Sequence, residues 1–120
     1  MELVEAYIPQ SAAKRPMIKL RPKWVTIHSA EEGPASARGQ RDWFANPENK
    51  RQYSVHIVVD EKEALLCVPL NEVAYHAGDG QGDGNRASVG VLICPGKKGA
   101  KAVENTAAVV AGLLRRPKRC

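Results

Sequence analysis

Three histidines are the side chains of this chain best suited to metal binding or proton transfer. They are His28, His56 and His76, and each lies at the end of a predicted strand or beside a glycine-rich segment. Imidazole titrates near neutral pH and is the commonest protein metal ligand. An isolated histidine is more often structural. A functional role for these three is therefore predicted from the order and context of the surrounding motifs.

The motifs around the histidines follow a definite order. A strand ending in Thr-Ile-His precedes a helix, which is followed by Ser-Val-His, three apolar residues and a hairpin strand. Next come Tyr-His-Ala-Gly-Asp-Gly, Gly-Asn-Arg-Ala-Ser-Val-Gly-Val and an amphipathic helix. This order resembles the type 2 N-acetylmuramoyl-L-alanine amidases and peptidoglycan recognition proteins, especially the phage and bacillus endolysins. The resemblance covers residues 8–115.

The resemblance implies a zinc ion held by three protein ligands, with an activated water in the fourth position. His28 matches the first ligand. The other two, a histidine and then an aspartate or cysteine, would follow the last matched helix, and we expect this C-terminally truncated chain to lack them. The family's proton-handling glutamate would follow Ser-Val-Gly-Val directly, but this chain has Leu92 there; the alternative tyrosine position is occupied by Val55.

Other matched positions would form a groove for a substrate or partner. The groove residues that the resemblance implies are His56, His76, Asp79, Asn85 and Arg86. Neither of these two histidines is a zinc ligand in the family pattern. We therefore expect no cofactor, or zinc if the domain is active.

Short periodic segments must position these residues. Strands are predicted over residues 24–28, 53–60, 64–69 and 88–94. Helices are predicted over residues 35–45, with Ser36 as the cap, and 102–116, with Glu104 and Asn105 on a wet face. We predict an extended N-terminal arm over residues 9–23 and a loop over residues 78–84. Trp24 and Trp43 are predicted to lie in the core. The whole predicts one domain over residues 1–120, an α/β fold with a mixed central β-sheet of about four or five strands flanked by helices.

Positive charge is concentrated near the C-terminus. The net charge is +5, yet residues 96–120 carry seven Lys or Arg against one Glu. The basic tail over residues 115–120 contains Arg115, Arg116, Lys118 and Arg119. Such a tail suits an acidic partner such as nucleic acid, a cell-wall polymer or a protein surface, or is a solvated terminus.

Three cysteines, Cys67, Cys94 and Cys120, fit neither a disulfide framework nor a metal knuckle, and the first two lie in apolar runs that predict burial. No apolar run approaches the roughly 20 residues of a membrane span. The acidic N-terminus lacks a signal-peptide layout, so we expect no membrane partner and a cytoplasmic location in a bacterial host, with the gene carried by the bacterium or a phage.

These observations favour a catalytically inactive amidase-like domain that acts by binding. Its partner would be a protein or a peptidoglycan fragment, and inhibition of a host protein system fits a small phage- or prophage-derived domain. One alternative is an active zinc N-acetylmuramoyl-L-alanine amidase. Another is a nucleic-acid-binding module that uses the basic C-terminal region. Self-association is a further expectation, since a truncated domain would expose apolar surface.

Overall fold

A mixed five-stranded sheet forms the centre of the protein. The computed structural model describes residues 1–31, 33–78 and 82–115. The strands are β1 (Leu3–Glu5), β2 (Trp24–Ser29), β3 (Ile57–Val59), β4 (Ala64–Leu66) and β5 (Ser88–Ile93). Their order is β1-β4-β3-β5-β2, with β3 and β4 antiparallel and the other neighbours parallel. The predicted α/β class and mixed sheet are confirmed.

Helices cover both faces of the sheet. They are α1 (Ala37–Ala45), α2 (Asp83–Arg86) and α3 (Gly99–Leu114). Ser36 caps α1 as predicted, its hydroxyl accepting the Gly39 N–H at 3.0 Å. A carboxylate oxygen of Asp60 accepts the Ala37 N–H at 2.8 Å, which ties the start of α1 to the end of β3.

Alternating side chains of the central strands supply two cores. Val58 and Leu92 share one core with Phe44 of α1. On the other face, Ile57 and Val91 pack with Val109 of α3. Strands covered on both faces need apolar residues at successive positions, which explains the continuous apolar runs in β3 and β5.

A partly buried ion pair holds the N-terminal arm, residues 9–23, against the rest of the domain. Arg15 donates to both carboxylate oxygens of Glu72, at 2.9 and 3.1 Å, and a third guanidinium N–H reaches the Ile8 carbonyl at 2.9 Å. Residues 9–23 are all described and contain no helix and only isolated bridges, from Ser11 to Arg15 and from Lys19 to Glu72. The bidentate pair orders a segment that lacks regular hydrogen bonding of its own.

Several local predictions are wrong. The sequence did not reveal β1, whose three residues pair in parallel with β4. Residues 83 and 84 belong to α2 rather than to a loop. Trp24 is 53% exposed because β2 lies at the sheet edge. Of the predicted wet face of α3, Glu104 is exposed, but Asn105 is buried and donates to the Asp60 carbonyl at 3.0 Å, so it anchors the helix.

Candidate functional site

Three separate segments bring the histidines into one cluster. His28 lies near the end of β2, His56 immediately before β3, and His76 in the segment after β4. The Nε2 of His28 is 3.0 Å from the Nδ1 of His76. The ring centroids are 5.1 Å apart for His28 and His76 and 5.9 Å apart for His56 and His76. The fold thus makes His76 the centre of the histidine cluster.

His56 is a neutral, fully buried member of the cluster. Its Nδ1 accepts the Gly90 N–H at 2.9 Å, so the proton sits on Nε2, which donates to the Glu72 carbonyl at 2.6 Å. Burial lowers the pKa of His56 to about 4, because the imidazolium would lose its hydration. This side chain joins β5 to the segment after β4 and has no nitrogen left for a ligand.

His76 is held by both its backbone and its ring. The Asn85 Oδ1 accepts the backbone N–H groups of His76 and Ala77, each at 2.9 Å. The His76 Nε2 lies 3.3 Å from the Ser88 carbonyl, which can only accept, so this nitrogen carries a proton. The buried amide of Asn85 therefore shapes the loop that bears His76.

Glycine at position 90 makes room for the His76 ring. A Cβ at Gly90 would lie 2.5 Å from the Cγ and 2.6 Å from the Cδ2 of His76. Both distances are far inside van der Waals contact. The glycine of the Ser-Val-Gly-Val motif is therefore required by this close approach.

Beside His76 lies a cleft of about 380 Å³. Its lining residues are Arg51, Gln52, Tyr53, Tyr75, His76, Ala77, Gly78 and Asn85. The Arg51 guanidinium carbon is 5.1 Å from the centroid of the Tyr53 ring. Burial raises the pKa of Tyr53, which keeps its phenol protonated. The cleft is thus lined by two tyrosine side chains and a guanidinium group.

Only some of the predicted groove residues line this cleft. His76 and Asn85 line the cleft, whereas His56 is buried beneath the cluster. Arg86 does not line it, and within the described part of the chain its buried Nε has no hydrogen-bond partner. Asp79 lies outside the described residues.

The prediction did not include Arg51, Tyr53 and Tyr75 in the groove. A signal was present in the sequence, since an aromatic residue precedes both the Ser-Val-His and the His-Ala-Gly motifs. Their convergence depends on the hydrogen bond from the Ser54 N–H to the Tyr75 carbonyl at 2.9 Å.

Leu92 faces His28 across two neighbouring strands. The two residues are Cα partners in the parallel β2–β5 pair, so their side chains project from the same face of the sheet. Leu92 is 2% exposed and packs in the core with Val58 and Phe44. A carboxylate here would stand beside His28, and the leucine supplies none.

The described residues do not form a three-ligand zinc site by themselves. Among residues 1–31, 33–78 and 82–115, no three His, Cys, Asp or Glu side chains converge to hold a metal ion. Burial lowers the pKa of His28, which favours the neutral imidazole. A zinc centre would need further ligands besides His28.

The two described thiols, Cys67 and Cys94, are not reactive groups of the site. Cys67 and Cys94 are buried, as predicted, and desolvation raises the pKa of each thiol to about 12, so neither forms a reactive thiolate near neutral pH. Arg115 is exposed. The remaining predicted tail residues, Arg116, Lys118 and Arg119, lie outside the described residues, as does Cys120.

Residues 18–119 match the family model of the N-acetylmuramoyl-L-alanine amidases. The chain belongs to this family. It is 34% identical over 118 residues to the amidase XlyA of Bacillus subtilis (strain 168), covering 95% of this chain and 39% of that protein. It is 41% identical over 101 residues to the amidase CwlA of a Bacillus species, covering 80% of this chain and 39% of that protein.

Solved amidase structures share the fold. The catalytic domain of XlyA superposes with a TM-score of 0.87 at 34% identity, covering 95% of this chain and 76% of that one. The PlyG catalytic domain gives a TM-score of 0.82 at 33% identity, covering 95% and 70%. Staphylococcus aureus AmiA, at 18% identity and a TM-score of 0.75, is alike in fold; the match covers 96% of this chain and 56% of that one.

This amidase-family chain spans about two fifths of the length of these two curated relatives. The family comprises zinc-dependent hydrolases of peptidoglycan, and the predicted amidase, endolysin and peptidoglycan assignments agree with the matches. In the described part of the chain, no helix is both long enough and apolar enough to span a membrane.

Proposed function

We propose that this amidase-family domain binds a peptidoglycan fragment in the cleft beside His76 and does not hydrolyse it. The observation that carries the proposal is Leu92. At the position where the resemblance implies a glutamate, directly across from His28, the side chain is a buried hydrocarbon. A hydrocarbon can neither accept a proton from water nor donate one to a leaving amine, and losing a general acid–base group typically costs about 10²–10⁴ in rate.

The chemistry of the cleft supports retained binding. Tyr53 and Tyr75 line the cleft, and aromatic side chains can pack against the apolar parts of sugars and peptide side chains. Arg51 supplies a guanidinium that suits a carboxylate of the stem peptide. The Asn85 side-chain oxygen accepts the backbone N–H groups of His76 and Ala77, next to Tyr75. These hydrogen bonds fix the loop, so the cleft does not depend on a metal for its shape.

Binding can be tested by co-sedimentation of the full chain with purified peptidoglycan sacculi. We expect the protein to sediment with the wall and Arg51→Ala to lower the affinity about tenfold, as expected for loss of a charged hydrogen bond of roughly 1.5 kcal/mol. Arg38→Ala is the matched control, because it removes the same charge from an exposed α1 position outside the cleft lining. Failure of the wild type to sediment, or equal loss in both variants, would contradict the proposal.

Hydrolysis is measured separately. An amidase frees the α-amino group of the first stem-peptide alanine, so new alanine amino groups are counted after incubation with the wall, with and without added Zn²⁺. We expect no release above the buffer control in either condition. Zinc-dependent release by the wild type would overturn the non-hydrolytic proposal and favour an active amidase.

The other proposed partners can be examined with the same protein. We propose the cytoplasm of a bacterial host as the place of synthesis, from a phage or prophage gene, where inhibition of a host protein would also occur. A nucleic-acid partner would give binding that weakens steeply with salt. Capture of one host protein in place of wall fragments would favour the inhibitor hypothesis.

A further inference from the structure

One serine hydroxyl connects the N-terminal arm to the two segments that carry the tyrosines of the cleft. Ser54 is fully buried and directly follows Tyr53, which lines the cleft. Its Oγ lies 2.6 Å from the Lys14 carbonyl oxygen and 3.1 Å from the backbone nitrogen of Tyr75, which also lines the cleft. The Ser54 N–H donates to the Tyr75 carbonyl at 2.9 Å. Ser54 therefore contacts the arm and both tyrosine-bearing segments at once.

The chemistry of the two partners fixes the direction of both hydroxyl bonds. A backbone carbonyl can only accept and a backbone N–H can only donate, so the Ser54 hydroxyl donates to Lys14 and accepts from Tyr75. A hydroxyl has one proton to donate, and this assignment uses it once. Neither bond involves a titratable group, so the arrangement should hold over the pH range in which the protein is folded.

The arm provides a fixed acceptor for this hydroxyl. Lys14 is 3% exposed, and its backbone N–H donates to the Ser11 hydroxyl at 3.0 Å. Ser11 and Arg15 exchange two backbone hydrogen bonds around it, at 2.9 and 3.1 Å, and Arg15 donates to both carboxylate oxygens of Glu72. Residues 47–56, by contrast, belong to no helix or strand. Bonds to the arm therefore order a segment that has no regular pairing of its own.

We infer that Ser54 is a positioning residue for the ligand of the cleft. Its hydroxyl holds the segment that carries Tyr53 against the arm and against the backbone of Tyr75, and so sets the spacing of the two tyrosines that contact a peptidoglycan fragment. This role rests on the proposed binding function, whereas the hydrogen bonds themselves do not. It makes the arm part of the binding site, although none of residues 9–23, all of which are described, lines the cleft.

Four substitutions separate the hydroxyl from the volume of the side chain. Ser54→Ala removes the hydroxyl without adding volume. Ser54→Thr and Ser54→Val add similar bulk, but only threonine keeps a hydroxyl. Thr106→Val is the matched control, because it removes another buried hydroxyl, which donates to the Ala102 carbonyl at 2.8 Å within α3 and outside the cleft lining.

Amide hydrogen exchange of the ¹⁵N-labelled full chain tests the hydrogen bonds. We expect the Tyr75 N–H to exchange up to about tenfold faster in Ser54→Ala than in the wild type, because its acceptor is lost. The rate should rise more in Ser54→Val than in Ser54→Thr, and Thr106→Val should leave it unchanged. An unchanged rate in Ser54→Ala, or equal rates in the Thr and Val variants, would overturn the inference. Circular dichroism establishes which variants are folded. If the two larger variants do not fold, the comparison of Ser54→Ala with Thr106→Val decides.

The effect on binding is measured with peptidoglycan fragments of defined stem peptide. We expect Ser54→Ala to lower the affinity about three- to tenfold, Ser54→Thr to bind more tightly than Ser54→Val, and Thr106→Val to bind as the wild type does. An equal loss in Ser54→Ala and Thr106→Val would assign the effect to lowered stability and contradict the inference. If no fragment binds the wild type, the proposed function fails and the binding role of Ser54 fails with it. The exchange experiment then still decides whether the hydroxyl holds Tyr75.

Discussion

Replacement of Gly90 by alanine should destabilise the protein, because the new methyl group has no room beneath the His76 ring. The Cβ would lie 2.5–2.9 Å from three ring atoms of His76. The ring cannot easily retreat, since Ser88 and His28 bond its two nitrogens and Asn85 holds its backbone. Overpacking of such a site typically costs about 1–3 kcal/mol.

The same substitution at Gly112 is the matched control. Gly112 lies in α3, and a Cβ there meets no atom within 4 Å. Alanine is favoured over glycine in a helix by up to about 1 kcal/mol, so Gly112→Ala should stabilise slightly. One extra methyl group is therefore expected to shift stability in opposite directions at the two positions.

Thermal unfolding followed by circular dichroism measures both effects. For a chain of this length, 1 kcal/mol corresponds to a Tm shift of about 4 °C. We expect Gly90→Ala to lower Tm by about 4–12 °C and Gly112→Ala to leave it unchanged or raise it by up to about 4 °C. A Gly90→Ala protein with the wild-type Tm would refute the close-approach argument. An equal fall in both variants would point to a cause unrelated to His76.

Substitutions at three further positions test the surroundings of the histidine cluster. Asn85→Ala should cost about 2–4 kcal/mol by urea unfolding, because the N–H groups of His76 and Ala77 lose their shared acceptor, and Asn85→Asp, which keeps an oxygen, should cost less. The pKa of His56 is about 4 in the folded protein and lies below its unfolded value of about 6.5, so the free energy of unfolding should fall as pH falls from about 6.5 to 4. His56→Gln should flatten that fall. A variant whose free energy of unfolding changes with pH as in the wild type would exclude His56 as the source. Leu92→Glu should destabilise by about 2–5 kcal/mol in unfolding experiments at neutral pH, whereas Leu92→Met should cost under about 1.5 kcal/mol; equal losses would contradict the apolar surroundings of position 92.

Much of the architecture was predictable because periodic apolar segments specify the elements that bury them. The β-branched run beginning at Trp24 became β2, the apolar run after Ser88 became β5, and the cap at Ser36 was correct. The strand β1 was missed because three residues carry no periodicity, and its pairing with β4 is a contact between residues about 60 positions apart. Trp24 was misplaced because burial of a strand residue depends on whether another strand follows it in the sheet.

The site was predicted in its residue types and only partly in its geometry. The motif order located His28 and the leucine at position 92, and the structure places them as direct strand partners. The sequence did not indicate that Asn85 turns inward to hold a loop. It also gave no clear reason to include Arg51 in the cleft.

The sequence by itself determined the family, the fold class and the absence of a carboxylate at position 92, since these depend on residue identity and order along the chain. Only the tertiary structure decided that the rings of His28 and His76 meet at 3.0 Å, that His56 is buried and neutral, and that Gly90 must remain a glycine. The physical reason is that hydrogen-bond direction, burial and close packing arise between segments that are distant in sequence. In this protein those three properties fix the ring of His56 between the Gly90 N–H and the Glu72 carbonyl and set the ring of His76 against Gly90.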